Sequence, residues 1–136
     1  MPLSEQQLDQ LADLNVRINA IPYDATLGLD EPPDYYADKP EAGRSWVCRM
    51  YTQMKATELR QSGWDPLWLT EFVVWTEPAP TDRELHAVLA VQAPDMLEPM
   101  ILDSRFPQIY PKDQPAADYI WEARQVAGTI NFAPIA

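Results

Sequence analysis

The spacing of the apolar residues changes once along this chain, near Gly63, and that change limits what it can fold into. Before it, Leu8, Leu11, Leu14 and Ile18 recur at steps of three and four, and so do Val47, Met50, Tyr51 and Met54. Each set traces one face of a helix. After it, the apolar residues come in short runs rich in Val, Leu, Phe and Trp, which read as strands. Helices followed by closely spaced strands point to an α+β fold, with an antiparallel sheet packed against helices.

The boundaries follow from local chemistry. Ser4 with Gln7 three residues later forms a capping box, so a first helix is expected from Glu5 to Asn19, ending before Ile21-Pro22. Asn15 falls on its apolar face and reads as a buried amide bonded to backbone. Residues 22–44 read as a long loop, with turn-rich stretches at 30–34 and 39–43 and with Tyr23, Leu27, Leu29, Tyr35 and Tyr36 available to pin it. Ser45 is the expected N-cap of a second helix that Gly63 ends, with Arg60 in its last turn. That cap places Cys48 in the first turn. Strands are expected over 67–76, from Arg83 or Glu84 to Val91, and over 100–103, the last two joined as a hairpin. Tyr119–Val126 and Thr129–Phe132 flank Ala127-Gly128 as a final hairpin, with helix as the competing reading of 115–126.

Composition bounds the function. At 136 residues the chain fits one domain, 1–136, with a real core. Fourteen prolines against four glycines, spread along the sequence, indicate rigid connections rather than a flexible linker. The net charge of −11 argues against a nucleic-acid partner and against an anionic membrane surface, both of which need Lys and Arg. No window approaches the roughly 18 apolar residues of a membrane span. The single cysteine cannot form an internal disulfide. The first residues show neither a basic nor an apolar leader region, so the expected location is cytoplasmic, or a virion if the chain is phage-encoded.

One constellation carries chemistry. Cys48, His86 and Asp103 follow in the order nucleophile, base, orienting acid, on a helix start and two adjacent strands. A helix N-terminus presents free N–H groups and a partial positive charge, which favour a thiolate. An imidazolium favours it further, and a carboxylate on the next strand fixes the ring. The Cys48 N–H is then a natural oxyanion donor. Each residue also has a plain structural reading: a small buried hydrophobe, a core histidine, a turn aspartate. One Cys and one His form no clustered ligand pattern, so no metal and no cofactor is expected.

These residues lie in segments that resemble the bacterial transglutaminase-like cysteine proteinases, of the papain-like and transglutaminase-like superfamily. Leu14-Asn15-Val16-Arg17-Ile18-Asn19 before Ile21-Pro22-Tyr23-Asp24 is similar to the family's opening helix with its paired asparagines. Asp34-Tyr35-Tyr36-Ala37 and Pro40-Glu41 resemble its D-Y-W-A-T-P-x-E stretch, and Cys48-Arg49-Met50-Tyr51 with Lys55, Leu59 and Gly63 its nucleophile helix. His86-Ala87-Val88-Leu89-Ala90-Val91 resembles H-A-V-L-x-V, and Ile101-Leu102-Asp103 its x-L-D strand. The resemblance spans roughly residues 10 to 110. It implies a papain-like/transglutaminase-like core in which the nucleophile helix faces the His and Asp strands. It also implies a Cys48-His86-Asp103 triad working through a thioester acyl-enzyme on a protein or peptide substrate, as hydrolase or acyl transferase. Asn15 and Tyr36 are oxyanion candidates from the resemblance alone.

The chain departs from the family beside the cysteine. Trp46-Val47 stand where the family has Gly-Asp, and Arg49 and Met50 where it has acids. In adhesin-cleaving periplasmic members those acids bind calcium; Val47 and Arg49 offer no oxygen ligand, so calcium dependence is not expected. The same departures support the alternative of a non-catalytic protein-binding or structural protein, phage or virion-associated, that keeps the fold and meets an assembly partner.

Overall fold

The computed structural model describes residues 3–22, 42–76, 85–115, 117–125 and 132–134, with 42–48 described at the backbone. Helix α1 spans Glu5–Asn19 and α2 spans Ala42–Gln61. Six strands follow among the described residues: β1 Leu69–Trp75, β2 Leu85–Val91, β3 Met100–Leu102, β4 Tyr110–Pro111, β5 Ile120–Gln125 and β6 Phe132–Pro134. They form one antiparallel sheet in the order β4-β3-β2-β1-β5-β6. The fold is α+β with a papain-like/transglutaminase-like core.

The start of α1 and the end of α2 are built as the sequence marks them. Ser4 Oγ accepts from the Gln7 N–H at 3.0 Å while the Ser4 N–H donates to Gln7 Oε1 at 2.8 Å. At the end of α2, Gly63 adopts φ 96°, the Gly63 N–H donates to the Arg60 carbonyl and the Trp64 N–H to the Leu59 carbonyl, both at 3.0 Å. Those two bonds close a Schellman motif, which needs a left-handed residue at this position. Trp64 then packs in the same apolar cluster as Leu59.

Each face of the sheet has its own core. Leu11, Leu14 and Ile18 of α1 meet Ala56 and Leu59 of α2 over Leu69, Leu89, Val91 and Leu102. Phe72, Val74, Val88, Ala90, Ile101, Tyr110 and Tyr119 form the second cluster, with Phe106 and Trp121 packed against it. A fully buried leucine contributes about 2 kcal/mol, whereas an exposed ion pair such as Arg17–Glu58 contributes less than about 1 kcal/mol. The apolar layer therefore holds the helices to the sheet. No helix among the described residues is long and apolar enough to cross a membrane.

Three expectations need correction. The second helix starts at Ala42, three residues before Ser45. The first strand starts at Leu69, because Asp65 caps a 3-10 turn over Pro66–Trp68, its side chain accepting the Leu67 N–H at 2.9 Å. Residues 120–125 are strand as expected, since β1 offers them a hydrogen-bonding edge that overrides the competing helix preference of Glu122, Ala123 and Arg124. The last strand is Phe132–Pro134, and the turn at Ala127-Gly128 lies outside the described residues. The short β4 has no counterpart in the sequence reading, because two residues carry no periodic signal.

Candidate active site

Strand alternation decides which way His86 points. Along β2, Leu89 and Val91 belong to the helix-side cluster, and Val88 and Ala90 to the opposite one. His86 shares the parity of Val88 and Ala90. It pairs with Val74 on β1 and lies 5.7 Å, ring to ring, from Tyr119. The imidazole is thus buried beside Tyr119 of the second core.

Asp103 follows the last residue of β3 and shares that face with Ile101. His86 Nε2 is 2.7 Å from Asp103 Oδ1, with both side chains buried. The same oxygen accepts the Arg105 N–H at 2.9 Å, while Oδ2 accepts the hydroxyls of Tyr110 at 2.8 Å and Tyr119 at 2.7 Å. The Asp103 carbonyl accepts from Asn19 Nδ2 at 3.1 Å, which ties the turn to the end of α1. Burial alone would raise the Asp103 carboxyl; the bond and charge of His86, the Tyr119 hydroxyl and the Arg105 N–H outweigh it and hold the group at about 2. Burial, then the charge of Asp103, pushes both phenols far above their ordinary value. An ionised carboxylate with four donors can keep a proton on Nε2, which leaves Nδ1 as the ring nitrogen able to exchange a proton with a reacting group.

Cys48 is the seventh residue of α2, not a member of its first turn. Its N–H is therefore beyond the free N–H groups of the helix start and beyond the reach of the terminal charge. The expectations of a helix-terminal thiolate and of a Cys48 oxyanion donor are both corrected by this. The Cys48 side chain lies outside the described residues. Its neighbours fix where the backbone runs. Arg49 Nε is 3.3 Å from Glu71 Oε2, and the Thr52 hydroxyl donates to Glu71 Oε1 at 2.7 Å. The structure brings His86 and Asp103 together, and α2, which carries Cys48, packs against β2, which carries His86.

Asn15 is buried, but its bonds run differently from the expectation of backbone alone. Nδ2 donates to the carbonyls of Phe106 at 2.9 Å and Pro107 at 3.2 Å, and Oδ1 accepts from buried Lys55 Nζ at 2.8 Å. Both ends of its amide are engaged, so it does not serve as an oxyanion donor. Tyr36 lies outside the described residues. Two groups of residues went unnoticed in the sequence. Glu71, alone among apolar strand residues, is a charge in a buried run; burial pushes its carboxyl up, against the charge of Arg49 and the Thr52 bond. Tyr110 and Tyr119 had no signal beyond their type, because the loop that returns them to Asp103 is not periodic.

No family model matches this sequence, and no curated protein sequence does. Among solved structures it is similar to Legionella pneumophila LapG. The calcium-bound form superposes with a TM-score of 0.58 at 22% identity, over 88% of this chain and 65% of LapG. A second LapG structure gives 0.57 at 20%, over 87% and 63%, and the EGTA-treated form 0.61 at 20%, over 94% and 67%. At this identity the likeness is one of fold, and this chain spans about two thirds of LapG's length. The comparison corrects the cytoplasmic expectation: LapG is a periplasmic protein, and the first residues of a chain covering part of a relative decide nothing about location.

Proposed function

We propose that the protein is a transglutaminase-like cysteine peptidase, or an acyl-transferring relative, acting on a protein or peptide. The observation that supports this best is the buried His86–Asp103 pair at 2.7 Å, on adjacent strands of this fold. Cys48 is the nucleophile, His86 the base and Asp103 the orienting acid. His86 Nδ1 takes the thiol proton as Sγ attacks the carbonyl carbon, while Asp103 holds the Nε2 proton and stabilises the imidazolium. The tetrahedral intermediate collapses, the C–N bond breaks, and Nδ1 returns its proton to the departing amine. Water or a second amine, deprotonated by the same nitrogen, then attacks the thioester and frees Sγ. Water completes hydrolysis; an amine completes transamidation.

Calcium does not fit the described residues here. A hard cation needs several free oxygen ligands. Glu71 already meets Arg49 and Thr52, and Asp103 accepts four hydrogen bonds. No step is routed through a metal.

The test is the rate of Cys48 alkylation against pH, in wild type and in His86→Ala. A rate that stays high well below pH 7 and drops at least about tenfold in the variant is expected of a thiolate held by an imidazolium. An ordinary thiol profile in both proteins removes the proposal. A second reading, a protein-binding relative that keeps the fold without catalysis, is supported by the place of Cys48 in the second turn of α2.

A further inference from the structure

We infer that Tyr110 and Tyr119 are positioning residues of this site: their hydroxyls clamp Asp103 Oδ2, turn Oδ1 to His86, and draw off enough of the carboxylate's charge to keep His86 a usable base. The inference deepens the peptidase reading and rests on it for its catalytic meaning alone. It begins with an electrostatic difficulty. A bare carboxylate 2.7 Å from a buried imidazole would favour the protonated ring strongly, because little water is present to screen the pair. A ring kept protonated cannot accept a proton from a thiol.

The clamp answers this with dipoles rather than charges. The hydroxyls of Tyr110 and Tyr119 reach Oδ2 at 2.8 Å and 2.7 Å, from β4 and from the residue before β5. Two O–H dipoles aimed at one oxygen spread the negative charge away from the oxygen that faces the ring. They also fix the carboxylate plane, so Oδ1 presents a lone pair to Nε2 and accepts the Arg105 N–H with the other. Neither phenol ionises in the working range, since both are raised, so the clamp cannot titrate away. Arg105 completes it: its guanidinium lies 5.6 Å from the Tyr119 ring centre and its Nη1 3.4 Å from the Tyr119 hydroxyl. Among the described residues the charged group bonded to the imidazole is Asp103, with Arg105 beside Tyr119; Glu71 and Arg49 pair with each other, and Cys48 comes from α2.

His86 is the only histidine in the chain, so its ring titration can be followed by NMR without assignment. The experiment compares that titration in wild type, Tyr110→Phe and Tyr119→Phe, each of which removes one oxygen and keeps the ring. The midpoint is expected to rise in each variant by at least about half a pH unit, a roughly threefold change in proton affinity. An unchanged or lowered midpoint in folded variants overturns the inference. The unaltered protein gives a second reading that needs no substitution: two tyrosine hydroxyl protons protected from solvent exchange are expected, and their absence overturns the inference as well. Neither readout depends on catalysis. If His86→Ala leaves the Cys48 alkylation profile untouched, the peptidase reading falls while the clamp is still judged by the ring titration.

Discussion

Asp103 holds a negative charge in a buried place, and the donors that make this tolerable also set a pH limit. Its carboxyl stands at about 2 in the fold against an ordinary 3.8. A depressed acid adds stability above its unfolded value and loses it as pH falls through the folded one. The difference corresponds to about 2 kcal/mol at neutral pH. Urea unfolding is therefore expected to show stability falling between about pH 4 and pH 2, with that slope reduced in Asp103→Asn; an equal slope in both proteins would count against it. Glu71 works with the opposite sign: its carboxyl is raised, so it withdraws stability as pH climbs past its ordinary 4.5. At this scale the sequence showed residue types and order. Cys48, His86 and Asp103 could be picked out because the chain has one cysteine, one histidine and an acid at a strand end. The tyrosines that tune the acid could not, since a ring contacting a residue 7 or 16 positions back leaves no trace in spacing.

Helix ends were the most legible elements and the start of α2 the least. The Ser4 and Gly63 signals depend on local backbone chemistry, and local chemistry is what a sequence displays. Gly63→Ala isolates the second. A Cβ there would meet nothing within 4 Å, so the only cost is the φ of 96°. A loss of about 1–2 kcal/mol is expected in chemical unfolding, and no loss would mean that the helix end readjusts. Ser45 looked like a cap because Ser favours that role, but a helix can absorb a serine in its first turns at little cost. The displaced start matters for chemistry: it moves Cys48 from the charged end of the helix into its hydrogen-bonded body. The strands followed their apolar runs, and the pairing of β5 with β1 bears out strand over the competing helix for that segment.

At the scale of the molecule, one buried polar link joins parts that are far apart in sequence. Asn15 of α1 meets Lys55 of α2 and the carbonyls of Phe106 and Pro107 beyond β3, so three separate parts of the chain meet at one amide. Asn15→Leu keeps the volume and deprives all three of that partner. A loss of about 2–4 kcal/mol is expected in urea unfolding; a change under about 0.5 kcal/mol would show that apolar packing alone joins the layers. A different joint has a consequence for length. The Tyr51 hydroxyl of α2 donates to the Ile21 carbonyl at 2.7 Å, just where the chain leaves α1, and the chain re-enters at Ala42, the first residue of that same α2. Nine helical rises, about 14 Å, separate those two points along the axis. Closing a chain between fixed ends grows only logarithmically more costly with each added residue. Both ends of the interval between residues 22 and 42 are thus anchored on α2, so the distance it must span is set by that helix whatever the interval contains.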